Sequence, residues 1–134
     1  MYLALLNKNE KETFLGMAFN LATADGNYSE EERAIINGYC QEMQCVFYEE
    51  KLVKPMDVLI QDIKLNSDNR IGKILVFELI GLAIADGNYD EDERNLINNI
   101  MVEFNIGAEF AKNCENLLKE YIAFQTKLNQ LVLE

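Results

Sequence analysis

The sequence contains no histidine, no tryptophan and a single proline among its 134 residues. Without histidine the chain cannot form Ser-His or Cys-His catalytic pairs, nor zinc sites that use imidazole ligands. One proline, Pro55, and only seven glycines leave long stretches free to form uninterrupted helices. No segment alternates apolar and polar residues over the length of a strand, so we expect no β-sheet.

Basic residues are scarce, with 12 lysines and arginines against 23 aspartates and glutamates and a net charge of −11. This balance argues against nucleic-acid binding, because phosphate contacts need an excess of Lys and Arg. It argues equally against binding to an anionic membrane. It suits divalent cations or a basic protein partner, but solubility alone is the simpler explanation. We expect a protein partner whose identity the sequence does not reveal.

The three cysteines, Cys40, Cys45 and Cys114, have spacings that match no metal knuckle or redox pair. We expect them to be small buried residues in a reducing compartment. The most apolar run, residues 74–85, is too short to span a bilayer and contains Glu78. Residues 1–6 lack the basic start of a signal peptide, so the expected location is cytoplasmic.

An internal repeat is the strongest signal in the sequence. Residues 21–37 align without gaps with residues 82–98 at a shift of 61, and twelve of the seventeen positions are identical. Two copies are too few for a solenoid. They predict one all-α, pseudo-twofold domain of about six or seven helices, with halves at about 9–45 and 70–106. Linking helices are expected at 47–66 and a last helix at 109–131.

Each copy has the pattern of a helix, a tight turn and a second helix. Asn9 with Glu12 is expected to start the first helix, and Gly26 to take positive φ past its end. Ser29 with Glu32 has the spacing of a capping box for the next helix. The second copy repeats the turn and the cap with Gly87, Asp90 and Glu93.

The segment 71–85 is apolar nearly all round, which predicts a helix buried on most sides at the centre of the bundle. Glu78 within it is either buried and paired, or directed through a gap to solvent. Tyr48, Val53 and residues 131–133 either form an exposed apolar edge or pack on the body, so the oligomeric state stays open.

The repeated turn reads Asp-Gly-Asn-Tyr and is followed by an acidic first helical turn. Its oxygen-bearing side chains, at positions one, three, five and eight, are of the kind that calcium and magnesium prefer. The pattern is not an EF-hand, which needs glycine at position six and glutamate at position twelve. The same residues also suit a purely structural role, in which the aspartates bond turn amides and the others cap a helix.

At these residues the chain resembles the tellurite-resistance TerB family and the N-terminal region of the DjlA-type co-chaperones. The matching segments are Ala24-Asp25-Gly26 with Glu32, and Ala85-Asp86-Gly87 with Glu93-Arg94, within a resemblance that covers about residues 5–107. It implies a bundle of about seven helices with no established catalysis and with acidic residues proposed to chelate a metal. Carried over, these are Asp25, Glu32, Asp86 and Glu93, with Asn27, Ser29, Asn88 and Asp90 as weaker candidates.

The first expectation for function is therefore a non-enzymatic, TerB-like acidic binding module in a stress-related context. It would bind a divalent cation such as Ca²⁺ or Mg²⁺ and contact a protein partner. The alternative is a structural or adaptor bundle in which the acidic motif only caps helices. A metal-dependent enzyme is the third, least favoured possibility, because di-iron bundles use Glu-x-x-His ligands and this chain has no histidine.

Overall fold

The structure is a computed structural model that describes residues 1–24, 26, 28–46, 54–85 and 89–134. Within these ranges it is all-helical and contains no strand, which confirms the predicted all-α bundle. A short 3₁₀ turn precedes six described α-helices. They are η1 (Leu3–Leu5), α1 (Lys8–Ala22), α2 (Glu30–Met43), α3 (Met56–Lys64), α4 (Asn69–Ala85), α5 (Glu91–Glu103) and α6 (Ala108–Leu133).

Helix α4 is the centre of the bundle, as its nearly continuous apolar sequence predicts. It packs against α1, α5 and α6. Leu75, Val76, Leu79 and Ile80 are fully buried on it. Because residues on several sides of α4 are covered, this helix contributes apolar surface to both halves of the domain.

The structural repeat is longer than the sequence repeat. Helices α1 and α2 correspond to α4 and α5 at the same shift of 61. Asn7 Oδ1 accepts the Glu10 N–H at 2.9 Å at the start of α1. Asp68 Oδ1 accepts the Ile71 N–H at 3.1 Å at the equivalent place in α4. Both first helices therefore begin with a side-chain cap, although Asn7 and Asp68 lie outside the detected repeat.

The far ends of the two copies are also equivalent. Gln44 after α2 and Asn105 after α5 have φ values of 54° and 55°. The next N–H, from Cys45 or from Ile106, donates to a carbonyl five residues earlier, at 3.0 Å and 2.8 Å. A left-handed residue of this kind closes a helix C-terminus. The repeat thus extends over residues 7–45 and 68–106, close to the predicted halves.

The start of α1 corrects a prediction. The helix begins at Lys8 after an Asn7–Glu10 capping box, so the proposed Asn9–Glu12 cap is wrong. The two pairs have the same spacing, and Asn9 lies inside the first helical turn, where its backbone is already helical. Pro55 precedes α3 as its N-cap residue, and residues 47–53 of the proposed linking region lie outside the described residues.

Helix α6 belongs to the bundle only in its first half. Ala111, Cys114 and Leu118 are buried, whereas every residue from Lys119 to Glu134 is exposed. The apolar residues 131–133 are therefore an exposed edge, while Tyr48 and Val53 lie outside the described residues. No helix in the described ranges has both the length and the apolar character needed to cross a membrane.

Candidate acidic site at the two helix–turn–helix junctions

The first junction contains the predicted capping box at the start of α2. The Ser29 hydroxyl accepts the Glu32 N–H at 3.1 Å, and Glu32 Oε1 accepts the Ser29 N–H at 3.2 Å and the hydroxyl at 3.0 Å. Gly26 precedes the box with φ of 84°, the positive value that was predicted for this turn. The local sequence therefore fixes where Glu32 lies, at the helix end where negative charge is favoured.

The second junction has an equivalent side-chain cap at the start of α5. Asp90 Oδ1 accepts the Glu93 N–H at 2.9 Å, which confirms Asp90 as the predicted cap. Glu91, Asp92 and Glu93 occupy the first turn of α5, as Glu30, Glu31 and Glu32 do in α2. The two junctions thus present equivalent acidic helix starts.

Glu32 and Glu93 are both buried, unlike their acidic neighbours. Their side chains are 5% and 6% exposed, whereas Glu30, Glu31, Glu91 and Asp92 are not buried. A carboxylate removed from water needs hydrogen-bond donors or a cation beside it. Sequence reasoning placed both glutamates in a cap and did not foresee their burial, because burial depends on the helices packed around them.

A second repeated contact explains two further residues of the motif. The Arg33 guanidinium carbon lies 4.4 Å from the centre of the Tyr28 ring, and that of Arg94 lies 3.9 Å from the centre of the Tyr89 ring. Cation–π contacts at this distance are favourable by about 0.5–2 kcal/mol. The sequence analysis did not predict this Tyr–Arg contact, although both copies have a Tyr followed by an Arg five residues later.

The surroundings of the two tyrosines differ. The Tyr28 ring contacts Phe19 of α1 edge to face, with ring centres 5.0 Å apart. In the second copy Arg94 also forms an ion pair with Glu115 of α6 at 3.1 Å. Burial raises the pKa of Tyr89, and the nearby Glu115 charge raises it further. The second junction is therefore tied to α6 by charge, and the first is tied to α1 by aromatic packing.

Of the proposed metal ligands, Ser29, Glu32, Asp90 and Glu93 lie in the described part of the chain. Asp25, Asn27, Asp86 and Asn88 lie outside it, as does Gly87, so their predicted positions stay predictions. Among the described residues no group of three or more Cys, Asp or Glu side chains is arranged to hold a metal ion. A site at either turn would therefore depend on the Asp-Gly-Asn segment itself.

Comparison of the chain with models of known protein families, with curated proteins and with solved structures found no match. The resemblance to the TerB family therefore stays a prediction from the repeated sequence motif.

Glu78 is buried and paired, which decides between the two alternatives for this residue. Its Oε1 accepts the Met1 ammonium at 2.8 Å and the Tyr2 N–H at 2.7 Å. Burial alone would lower the pKa of the Met1 amino group, but the hydrogen bond and charge of Glu78, with Glu42 at 3.3 Å, raise it. The carboxylate in the central helix thus anchors the segment that leads into η1.

A separate cleft of about 450 Å³ lies between α1 and α3. Glu10 at its wall is 6% exposed, and its Oε2 accepts the Ser67 hydroxyl at 2.6 Å. Asp62 and Lys54 also line the cleft, and Glu78 does not. Glu10 was not foreseen as a buried residue, since its contact with Ser67 joins positions 57 residues apart.

Two of the three cysteines are buried, as was predicted for all three. Cys40 and Cys114 are buried, Cys45 is half-buried, and all three are free thiols. Burial raises the pKa of Cys40 to about 12, with a further contribution from neighbouring Cys45, and raises that of Cys114 to about 11. Both thiols are thus kept protonated, which makes them poor nucleophiles.

Proposed function

We propose that this protein is a non-enzymatic, TerB-like binding module whose acidic turns bind a divalent cation. The observation that carries the proposal is the burial of Glu32 and Glu93 at equivalent helix starts, each four residues after the tyrosine of an Asp-Gly-Asn-Tyr motif. Buried carboxylates are paired, hydrogen-bonded or bound to metals, and these two lie next to further oxygen donors in the chain.

The donor chemistry of the junctions fits a hard cation. Within the described residues Glu32 makes its capping contacts through Oε1, which leaves Oε2 for a cation. Asp90 similarly uses Oδ1 for the Glu93 N–H, so that Oδ2 remains for a cation. Carboxylate and amide oxygens of this kind select Ca²⁺, Mg²⁺ or Mn²⁺ over softer metals.

The second turn is the stronger candidate of the two. It carries Asp90 where the first turn has Ser29, so it offers one more carboxylate. Asp86 and Asn88 would complete the ligand set with Asp90 and Glu93. A bound cation would fix the junction between α4 and α5, and thereby the surface that α5 and α6 present to a protein partner.

Isothermal titration of metal-free protein with Ca²⁺, Mg²⁺, Mn²⁺ and Zn²⁺ tests this proposal. We expect saturable heat with at least one hard cation, and a loss of about tenfold or more in affinity for Asp86→Asn. Glu91→Gln is the matched control, because it removes the same charge from an exposed residue in the first turn of α5. Equal weakening by both variants would indicate diffuse charge attraction and contradict a defined site.

A purely structural or adaptor role is the second candidate, and the caps themselves favour it. Ser29 and Asp90 each satisfy an otherwise unpaired helix N–H without any ion. In that case the titrations are flat with all four metals. Asp90→Ala then costs only the stability of a helix cap, about 1 kcal/mol, and the added metal does not shift the melting temperature.

A further inference from the structure

The exposed half of α6 carries an ordered apolar face that the fold does not use. Leu117, Tyr121, Phe124, Leu128 and Leu131 follow one another at alternating spacings of four and three, which is the a/d pattern of a coiled coil. They are 42–80% exposed. We call these five residues the α6 seam. No described element covers it beyond Leu118, where the contact of α6 with the body ends.

The seam lies on a different side of the helix from the surface that α6 packs against the body. Cys114 and Leu118 are buried on one side of the helix, whereas Leu117 is 63% exposed. At about 100° per residue, the seam is about a quarter turn round the helix from the buried side. A second helix can therefore lie along the seam without displacing α4.

We propose that the α6 seam binds the same seam of a second copy of this chain, with the two helices antiparallel. A symmetric antiparallel pair places Leu117 opposite Leu128 of the second copy, and Tyr121 opposite Phe124 of the second copy. The twofold axis then passes between Tyr121 and Phe124. Each of these four residues meets an apolar residue, and the symmetry makes each contact twice, as in an isologous interface.

Charge selects this arrangement over a parallel one. In the antiparallel pair the flanking residue Glu120 of one copy lies beside Lys127 of the other, and the symmetry forms this opposite-charge contact twice. In a parallel pair the same two residues would face Gln125 and Val132, which are uncharged. Opposite charges beside the seam therefore favour antiparallel pairing.

The charge of the exposed segment also permits self-association. Residues 119–134 contain Lys119 and Lys127 against Glu120 and Glu134, so their side-chain charges cancel. The chain as a whole has a net charge of −11, which opposes contact between copies elsewhere on the surface. The neutral α6 segment is thus a surface where two copies can approach without strong local repulsion.

The available area predicts a weak dimer. Four half-exposed aromatic rings contribute about 400 Å² and the four paired leucines a comparable amount, so the interface buries on the order of 800 Å². An area of this size is typical of weak and transient interfaces. We expect a dissociation constant on the order of 10 µM, with monomer and dimer exchanging rapidly.

Sedimentation equilibrium of the full chain from about 5 to about 500 µM tests the dimer. We expect the mass to rise to twice that of the monomer, and Phe124→Asp to weaken association by about a hundredfold or more. Leu133→Asp is the matched control, because Leu133 is exposed on the same helix, lies off the seam and receives the same charge. Circular dichroism checks that both variants remain folded.

A charge-swap cycle tests the direction of the helices. Glu120→Lys and Lys127→Glu singly create two like-charge contacts and are expected to weaken the dimer about tenfold, whereas the double swap restores it. A dimer unaffected by the single swaps overturns the antiparallel arrangement. A chain that stays monomeric up to about 500 µM overturns the proposal altogether, and so does a monomer whose seam binds lipid vesicles or another protein instead.

Discussion

Gly72 lies where α4 approaches the end of α5 most closely, and replacing it with alanine should destabilise the fold. A Cβ atom at this position would lie 2.6 Å from Cγ, 2.7 Å from Cδ1 and 2.9 Å from Cβ of Phe104. Carbon atoms in contact are normally about 3.5–4.0 Å apart. The Phe104 side chain, which is only 7% exposed, would therefore have to move by about 1 Å to restore that separation.

The repeat explains why a glycine is needed here. Lys11 and Met43 are the equivalents of Gly72 and Phe104 in the first copy, and Lys11 Nζ donates to the Met43 carbonyl at 3.3 Å. The same approach of two helices is thus filled by a long side chain beside methionine in one copy. In the second copy the Phe104 side chain occupies this space, and Gly72 leaves room for it because it has no side chain.

The magnitude follows from two opposing effects. Overpacking a filled site costs about 1–3 kcal/mol, whereas replacing glycine with alanine within a helix gains about 0.5–1 kcal/mol. Gly72→Ala should therefore lose about 1–2 kcal/mol. Gly81→Ala in the same helix is the matched control, because a Cβ atom there would have no atom of another element within 4 Å. It should gain about 0.5–1 kcal/mol.

Urea unfolding followed by far-UV circular dichroism measures both variants against the parent chain. The two substitutions should differ by about 1.5–3 kcal/mol in free energy of unfolding, with opposite signs. Adding Phe104→Leu to Gly72→Ala should cost less than the sum of the two single changes, since a smaller side chain relieves the contact. A Gly72→Ala variant as stable as Gly81→Ala would refute the proposed close packing.

Three further predictions concern the caps and the buried polar groups. Asp90→Ala should lower the free energy of unfolding by about 1 kcal/mol through loss of the α5 cap, while Asp90→Asn should retain most of it, as measured by urea unfolding. Glu78→Gln should cost about 1–2 kcal/mol at pH 7, because Met1 loses a charged acceptor; an unchanged unfolding midpoint would contradict that pairing. The Cys40 thiol has a pKa raised from 9.0 to about 12 in the folded chain, so its contribution is complete below pH 9 and is lost as the pH rises towards 12. Urea midpoints measured across that range should fall less steeply for Cys40→Ala, and an identical slope in the two proteins would rule out this contribution.

Local features of the chain were predictable because their causes are local. The caps at Ser29 and Asp90 and the positive φ of Gly26 depend on residues within one or two turns, and the structure has them where the motif predicts. The burial of α4 follows from an apolar sequence that leaves few sides suited to water. The Asn9 cap failed because two Asn–Glu pairs of equal spacing overlap, and local spacing cannot choose between them.

An all-helical chain, two copies of one helix–turn–helix unit and the acidic residues that begin α2 and α5 could all be read from the order of the amino acids. Which glutamates are buried depended instead on the packing of the helices, since Glu10 and Glu78 contact Ser67 and Met1 from positions far along the chain. The same packing set the point, at Leu118, where the body stops covering α6. Burial is determined by the helices that surround a residue, and no local pattern specifies where that packing ends.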